Sequence, residues 1–584
     1  MDTATDMDTT RIMPLELAVG RHVQPGDHLH FAATPSRSNA AIRELARGWR
    51  GEDPEFTLSM TGFHSTAHLL GLLRLGRRYL GCFFGDVYPA PRPNRLYSDL
   101  QREGAVFEHW SLLTMLAALR AGAQGHPYAV ARCSAASDLA AELSDAGRIQ
   151  RIPAVEDEDL VLVSALRPDV TFVHAALGDR TGRVAMFAPY GEGPWGALAA
   201  KRGVIATVEE VVDPGRLDTI RGATLLPAHR VLAVCPAPWG AHPQPFYAPG
   251  AADAHRYRDD YGHYVWWRTA ATEPAQRDGF AELVLQAADG AAGYLEFAGR
   301  DRLHALATDL RGDRTPPAPA DLPAPATDEE IMVIRAARVI ASRVRARGYR
   351  VILAGIGQSF EAARLARARL RDQGVEVHVM VEIGLYDVDH EPGGDAFLLG
   401  YDTIANAGRH TGIEDVLGTL ACGADNRCLA VIGAAQIDAT GAVNSTRLGD
   451  GTLLVGSGGA HDLAVAADEV LVLVPCERRR MVAKVDYVTS PGRAVRHVVT
   501  DRATFRRSGP DADADRWLID DWCAQDPGTP GDPVAAFEGC GWEPRPVELA
   551  QPMPPVTGTE LSTLRDLRRR QVSRPPSTNR QVRI

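Results

Sequence analysis

The stretch HVMVEIGLYDVDHEPGGD, residues 378–395, holds the acid of greatest chemical interest in the chain. An apolar run that reads as a buried strand ends on Glu382, and Gly384 follows two places later. An unpaired charge on a strand that faces a core costs about 2 kcal/mol or more, even after the group neutralises itself. A carboxylate kept there needs either a chemical task or a route to water. Strand ends are where open α/β sheets place their ligands, and a glycine lets another group approach the backbone closely. The plain alternative is a glutamate that caps the following turn and points to solvent.

Two glycine-rich turns could serve the same chemistry. AGIGQSFEAA (354–363) follows an expected strand and opens a helix, so its amides could meet an anionic or polar group, although it is not a GxGxxG pattern. LGDGTLLVGSGGAHD (448–462) places Gly456, Ser457, Gly458 and Gly459 together. No lysine follows as in a P-loop, so this nest of amides suits a developing oxyanion better than a phosphate. Each also reads as an ordinary turn. His64 and His68 have the i, i+4 spacing of a helical metal pair, but no glutamate lies between them and no third ligand is in view, so packing or surface roles are expected and no metal. The run from Asp387 to Glu391 reads as a solvated loop, with a lid over Glu382 as the alternative, and Trp266–Trp267 as core or interface residues.

The elements that must position these residues belong to a long chain of ordinary globular composition. At 584 residues it needs at least two domains. It is 45% hydrophobic and 23% charged, with no apolar run of membrane-spanning length and no export signal, so a cytoplasmic protein without a membrane partner is expected. The net charge of −11, with scattered basic residues, argues against nucleic acid as a main partner. Eight isolated cysteines without a CxxC pair read as reduced packing residues.

Residues 311–329 are a Pro/Ala linker, and Thr327-Asp-Glu-Glu announces a helix. The halves on either side echo each other. VHAALGDRTGRV (173–184) and IGAAQIDATGAV (432–443) share Ala-Ala, Asp, Thr-Gly and Val in the same spacing, each a buried strand followed by an Asp-x-Thr-Gly turn. HLHFAATPSRSNAAIRELARGW (28–49) parallels VILAGIGQSFEAARLARARL (351–370), and each is followed by a further strand. The expected class is therefore α/β, with two tandem, related, doubly wound and mainly parallel sheets. The expected divisions are a flexible N-terminus (1–14), a first domain (15–310), the linker, a second domain (330–570) and a disordered tail (571–584). Where the second half carries Val381-Glu382-Ile383-Gly384, the matching strand end of the first half has Met60-Thr61-Gly62 and no acid.

At this point the residues resemble a family. GIGQSFEAARLA, VEIG, GAAQIDATGAVNSTRLG and GSGGAHDLAVAADEVLVLVP are similar, in order and spacing, to the β subunit of family I CoA-transferases of the glutaconate type. FEHWSLLTMLAALRAGAQGHPY, PDVTFVHAALGDRTGRV, RYRDDYGHYVWW and GYLEFAGRDRLHAL in the first half resemble the α subunit. The resemblance implies fused α-type and β-type subunits, coenzyme A as a substrate and not a permanently bound cofactor, and acyl-CoA and carboxylic acid as partners. It also implies a homodimer.

By the same resemblance, Glu382 is the nucleophile of an E-x-G motif. It would attack an acyl-CoA carbonyl, and the CoA thiolate would return to give a glutamyl-CoA thioester. Gly458 and Gly459 would supply oxyanion-hole amides, Asn444 a polar group near the thioester, and Gly456 and Ser457 part of the CoA and acyl site. Gly355 and Gly357 would shape the wall of the CoA site and Gly384 the approach to the nucleophile. The sequence departs from many relatives in the apolar residues beside the acid and in HFAATPSRSN where a Gly-Gly-Phe turn is common. A thioester hydrolase or ring-opening hydrolase using Glu382 therefore stays open, as does a binding protein without catalysis, against which the intact Glu382 and GSGG argue.

Overall fold

The structure is a computed structural model describing residues 11–32, 36–153, 159–251, 256–287, 290–308, 310, 325–388, 397–509, 517–523, 539–541 and 545–569. Two large sheets carry the architecture. In the first half the strands are β1 (His28–Phe31), β2 (Phe56–Phe63), β3 (Gly76–Phe84), β4 (Val106–His109), β5 (Tyr128–Arg132), β6 (Ile149–Arg151), β7 (Leu160–Ser164), β8 (Val170–Asp179), β9 (Val184–Phe187), β10 (Gly203–Val212), β11 (Ala223–Leu226) and β12 (Val231–Pro236). β1 lies between β2 and β8, β3 and β4 extend one side in parallel, and β10 and β12 continue from β8. β5, β7 and β6 form a separate small antiparallel sheet.

In the second half β13 (Val351–Ala354), β14 (His378–Met380), β15 (Leu385–Val388), β16 (Ala407–His410), β17 (Cys428–Gly433), β18 (Gln436–Ile437), β19 (Val443–Asn444), β20 (Glu469–Leu473), β21 (Val495–Val499), β22 (Ala503–Arg507), β23 (Trp517–Trp522) and β24 (Arg545–Pro552) follow. The main sheet runs β14-β13-β17-β20-β21-β22-β23-β24. Its strands are parallel from β14 to β21, and the first three, β14-β13-β17, repeat the order β2-β1-β8, so the sequence echo is a structural one.

The shared Asp-x-Thr-Gly turns close in the same way. Asp179 Oδ1 accepts from the Thr181 amide at 2.9 Å and its hydroxyl at 2.6 Å. Asp438 Oδ1 accepts from the Thr440 amide at 2.9 Å and its hydroxyl at 2.7 Å. Each aspartate satisfies donors that a tight turn would otherwise strand. The helix expected at Thr327 spans Asp328–Arg347, closed at its start by a Thr327–Glu330 capping box and at its end by Gly348 in the left-handed region.

The first boundary needs correction. Within the 1–14 stretch expected to be flexible, Arg11 donates from its amide to Arg180 O and Met13 to Val234 O, so residues 11–14 are tied to the first sheet. The linker residues 311–324 and the tail from 570 lie outside the described residues. Among the described residues all eight cysteines are free thiols, and no helix is long and apolar enough to cross a membrane.

The two halves share their interior. One apolar cluster joins Leu80, Trp110, Leu112 and Met115 of the first half to Leu353, Val416, Leu417 and Leu463 of the second. Another joins Tyr88 and Tyr264 to Val381 and Ile383. An interface that is a core cut in two should be obligate. Cleaving the chain by design within 311–324 and co-expressing the pieces should therefore yield halves that co-purify, while the second half expressed alone should aggregate. Soluble, monomeric second half in size-exclusion chromatography would contradict the shared core.

Candidate active site

Glu382 lies two residues past the end of β14 and begins the turn that leads into β15. Its side chain keeps some exposure, but Oε2 is sealed from solvent and has no hydrogen-bond partner among the described residues. Burial pushes the carboxyl up to about 7, and its own backbone amide is the one opposing influence. A group with that value near neutral pH is available in both protonation states.

The turn is clamped from two sides. Gly384 has φ +117°, and a Cβ there would stand 2.2 Å from Thr411 O. The Thr411 amide donates to Gly384 O at 2.7 Å. From the first half, Gly191 donates to Ile383 O at 3.1 Å and Tyr190 to Thr411 O at 2.8 Å, while Ile413 donates back to Gly191 O at 3.1 Å. The glycine expected to let something approach thus admits backbone, at the seam between the halves. Beside the Tyr190 loop a narrow cleft is lined by Ser36, His174, Phe187, Tyr190, Phe246 and Tyr247. Tyr247 also stacks on His410, whose strand pairs with β15.

The GSGG loop lies against the first half as well. A Cβ on Gly456 would be 2.5 Å from Cys82 O, and Val455 O accepts from the Phe84 amide at 2.6 Å. The Gly458 amide is spent on Cys82 O at 2.9 Å, which corrects its expected role as an oxyanion donor. The Gly456 amide is spent on Ser445 O at 2.7 Å. Among the described residues no acceptor meets the amides of Ser457 or Gly459. Gly459 packs on Leu417, in the helical segment Glu414–Ala421 that starts just after the Thr411–Gly412 clamp, so the nucleophile turn and this loop flank one element.

Asn444 is likewise corrected. Nδ2 donates to Gln436 Oε1 and to Arg447 O, each at 2.8 Å, and Oδ1 accepts from the Thr446 amide at 3.0 Å. Fully buried with donors and acceptor engaged, it pins the 444–447 turn that carries Ser445. Gly355 has its amide on Val431 O at 2.9 Å and open space where a Cβ would be, apart from Val431 O at 3.8 Å. At Gly357, with φ +88°, a Cβ would stand 3.3 Å from Ala90 Cβ of the first half.

Three residues missed as site elements bind the halves together. Asp462, five places after Ser457, reaches across the seam to accept from Ser111 Oγ at 2.6 Å and the Leu113 amide at 3.1 Å, capping the helix Leu112–Gln124. Burial pushes its carboxyl up to about 7. His461 Nδ1 donates to Thr489 O at 2.8 Å and Nε2 accepts from the Ser134 amide at 3.3 Å, which fixes the neutral tautomer. Asp259 of the first half accepts from the Tyr401 amide at 2.8 Å and from Tyr264 Oη at 3.1 Å. The polar pair after the glycines in GSGGAHD was the available signal for the first two.

His68 has both ring nitrogens engaged, with Tyr97 Oη at 2.8 Å and Asp86 Oδ1 at 3.0 Å, so it does not pair with His64 over a cation. His242, Asp260 and His263 gather ligand atoms within 4.8 Å, but Arg302 donates to both Asp260 oxygens. A guanidinium in that position takes the place of a cation. Of the acidic run, Asp387 belongs to β15 and pairs with Arg367 at 2.8 Å, and residues 389–391 lie outside the described residues. Trp267 is buried and Trp266 packs on Phe280.

A profile of the Coenzyme A transferase family matches residues 12–224 and 423–505. The chain belongs to that family. The matched segments take in the Tyr190 clamp and the GSGG loop but not Glu382. The A-type component of the 3-oxoadipate CoA-transferase of Pseudomonas knackmussii is 36% identical over 180 residues, 31% of this chain and 58% of that protein. The B-type component of the glutaconate CoA-transferase of Acidaminococcus fermentans is 33% identical over 177 residues, 28% of this chain and 61% of that protein. The chain thus matches about three-fifths of the length of either relative, and it is similar to both kinds of transferase component at once. A solved acyl-CoA transferase from Escherichia coli O157:H7 shares the fold, with a TM-score of 0.63 at 13% identity over 95% of this chain and 97% of that one.

Asp462→Ala should leave the Leu113 amide without its acceptor and the buried Ser111 hydroxyl with Thr114 Oγ1 as its remaining partner. The expected loss is on the order of 2–4 kcal/mol, read as a lower urea midpoint, with Asp462→Asn, which keeps one acceptor, losing less. An unchanged midpoint in Asp462→Ala would remove the residue from the seam.

Proposed function

We propose that this coenzyme A transferase family member moves coenzyme A between an acyl-CoA and a carboxylic acid through a glutamyl-CoA thioester on Glu382. The observation that carries the reading is the sealed, unpartnered Glu382 Oε2 on a clamped turn at the seam, in a chain whose relatives include both components of such transferases. The carboxylate attacks the acyl-CoA carbonyl, and the tetrahedral adduct expels CoA as its thiolate, leaving an acyl-glutamyl anhydride. The thiolate then attacks the glutamyl carbonyl and expels the first acid as its carboxylate. A second acid attacks the thioester by the same steps in reverse.

Ser457 and Gly459 take the role of oxyanion donors, each worth about 3 kcal/mol in the transition state, in place of the engaged Gly458 amide. Val381, Ile383 and Leu385, all buried, supply an apolar neighbourhood that keeps water from the thioester. Gly355 leaves its open side to the CoA chain. The halves act as fused α-like (15–310) and β-like (330–570) subunits, and a cytoplasmic homodimer is the proposed working form, bound neither to nucleic acid nor to membrane.

Glu382→Ala should lower turnover at least about a hundredfold, the scale of a lost nucleophile, with the urea midpoint preserved. Acyl-CoA supplied without an acceptor should leave one CoA on the peptide containing Glu382, detected by mass after borohydride reduction. Steady thiol release with no such adduct would assign a hydrolase instead. Because the nucleophile is the ionised carboxylate and burial holds the group at about 7, kcat/KM for acyl-CoA should be flat above that pH. Below it the value should fall about tenfold per unit; a profile flat down to pH 5 would contradict the assignment.

A further inference from the structure

The strand end of the first half that corresponds to the Glu382 turn is β2, which runs into His64, Ser65 and Thr66. Three consecutive side chains there hold buried polar atoms with no partner among the described residues: His64 Nδ1, Ser65 Oγ and Thr66 Oγ1. The residues are 2%, 5% and 0% exposed. Native interiors leave few such atoms, and a run of three asks for a ligand. Ser65 also sits at φ +56°, a left-handed conformation that a serine adopts at a cost, as functional turns often do.

Behind the turn lies Arg37, fully buried. It donates to Gly62 O, to His64 O at 2.9 Å, to Gln244 Oε1 at 3.3 Å, to Asn39 Oδ1 at 3.4 Å and to the Met60 sulfur at 3.2 Å. All five acceptors are neutral, and among the described residues no carboxylate stands within ion-pair distance of it. The buried Glu192 carboxylate acts on Arg37 only from beyond ion-pair distance. A guanidinium buried without a contacting counter-charge is costly, and an anion brought close in the same low-dielectric region would relieve that cost. The turn is also near the chemistry. His64 packs edge-on to Phe83 with ring centroids 6.4 Å apart, and a Cβ on Gly456 would lie 3.5 Å from Phe83 Cα.

We infer that His64, Ser65 and Thr66, backed by Arg37, form a carboxylate-binding subsite on the first half that holds a carboxylate of the acid exchanged at Glu382. The inference rests on the transferase reading for the identity of the acid, but the subsite is defined by binding alone. The two hydroxyls and the imidazole are donors for carboxylate oxygens, and Arg37 supplies the charge from behind without giving up its own hydrogen bonds. The duplicated strand ends then have complementary tasks, one offering a carboxylate and the other receiving one.

The test is calorimetric binding of glutarate and of butyrate to the intact protein and to Ser65→Ala/Thr66→Val, a near-isosteric variant whose urea midpoint should not fall. If the subsite takes a carboxylate remote from the reacting one, glutarate should bind the variant at least tenfold more weakly and butyrate equally well. If it takes the reacting carboxylate, both should weaken tenfold; either result supports the subsite. Equal binding of both acids by the two proteins would mean that the hydroxyls meet ordered water only, and would overturn it. Failure of either acid to bind the unaltered protein at millimolar concentration would do the same. None of these readings depends on turnover, so loss of the glutamyl thioester assignment would leave the result distinct.

Discussion

A carboxylate oxygen held away from water with no donor to meet it is unfavourable by several kcal/mol, and Glu382 Oε2 is in that position. The turn cannot relax toward solvent because backbone on both sides holds it. Thr411 fills the space where Gly384 has no Cβ, and Gly191 of the other half bonds Ile383 O. The energy that keeps the acid in place is therefore the energy of the seam. The shared apolar clusters supply it, and the raised ionisation of Glu382 is its chemical consequence.

The seam is built from residues that do not look alike in sequence. Asp462 caps a helix of the first half, His461 accepts a first-half amide, and Asp259 receives an amide from the second half. Each is a buried polar group satisfied across the boundary, so separating the halves would strand donors and acceptors on both faces. The glycine loop belongs to the same construction. Half of its amides anchor it to Cys82 and Ser445, and that anchoring leaves Ser457 and Gly459 as fixed donors with no acceptor among the described residues. A nest held by its neighbours is pre-organised, the condition under which amides stabilise a developing charge most.

Duplication explains the architecture and its asymmetry. The order β2-β1-β8 recurs as β14-β13-β17, and the Asp179 and Asp438 turns close on the same donors. Yet one copy ends its strand on an acid, and the other ends on a turn with orphaned donors in front of a buried arginine. Two copies of one unit, packed together, can diverge in charge while keeping the backbone that holds the charged groups.

The sequence by itself determined the period and the punctuation. The alternation of strand and helix, the Thr327 capping box, the two Asp-x-Thr-Gly turns and the placement of Glu382 at a strand end were all legible, because each depends on neighbours a few residues away. Which amides of the glycine loop remain free, whether Asn444 has an atom to spare, and that residues 11–14 join a strand over two hundred positions distant were decided only by the tertiary structure. Those answers depend on which carbonyl or hydroxyl arrives from elsewhere in the chain. A hydrogen bond between distant segments leaves no periodic trace, since its cost and its benefit appear only when both partners leave water together.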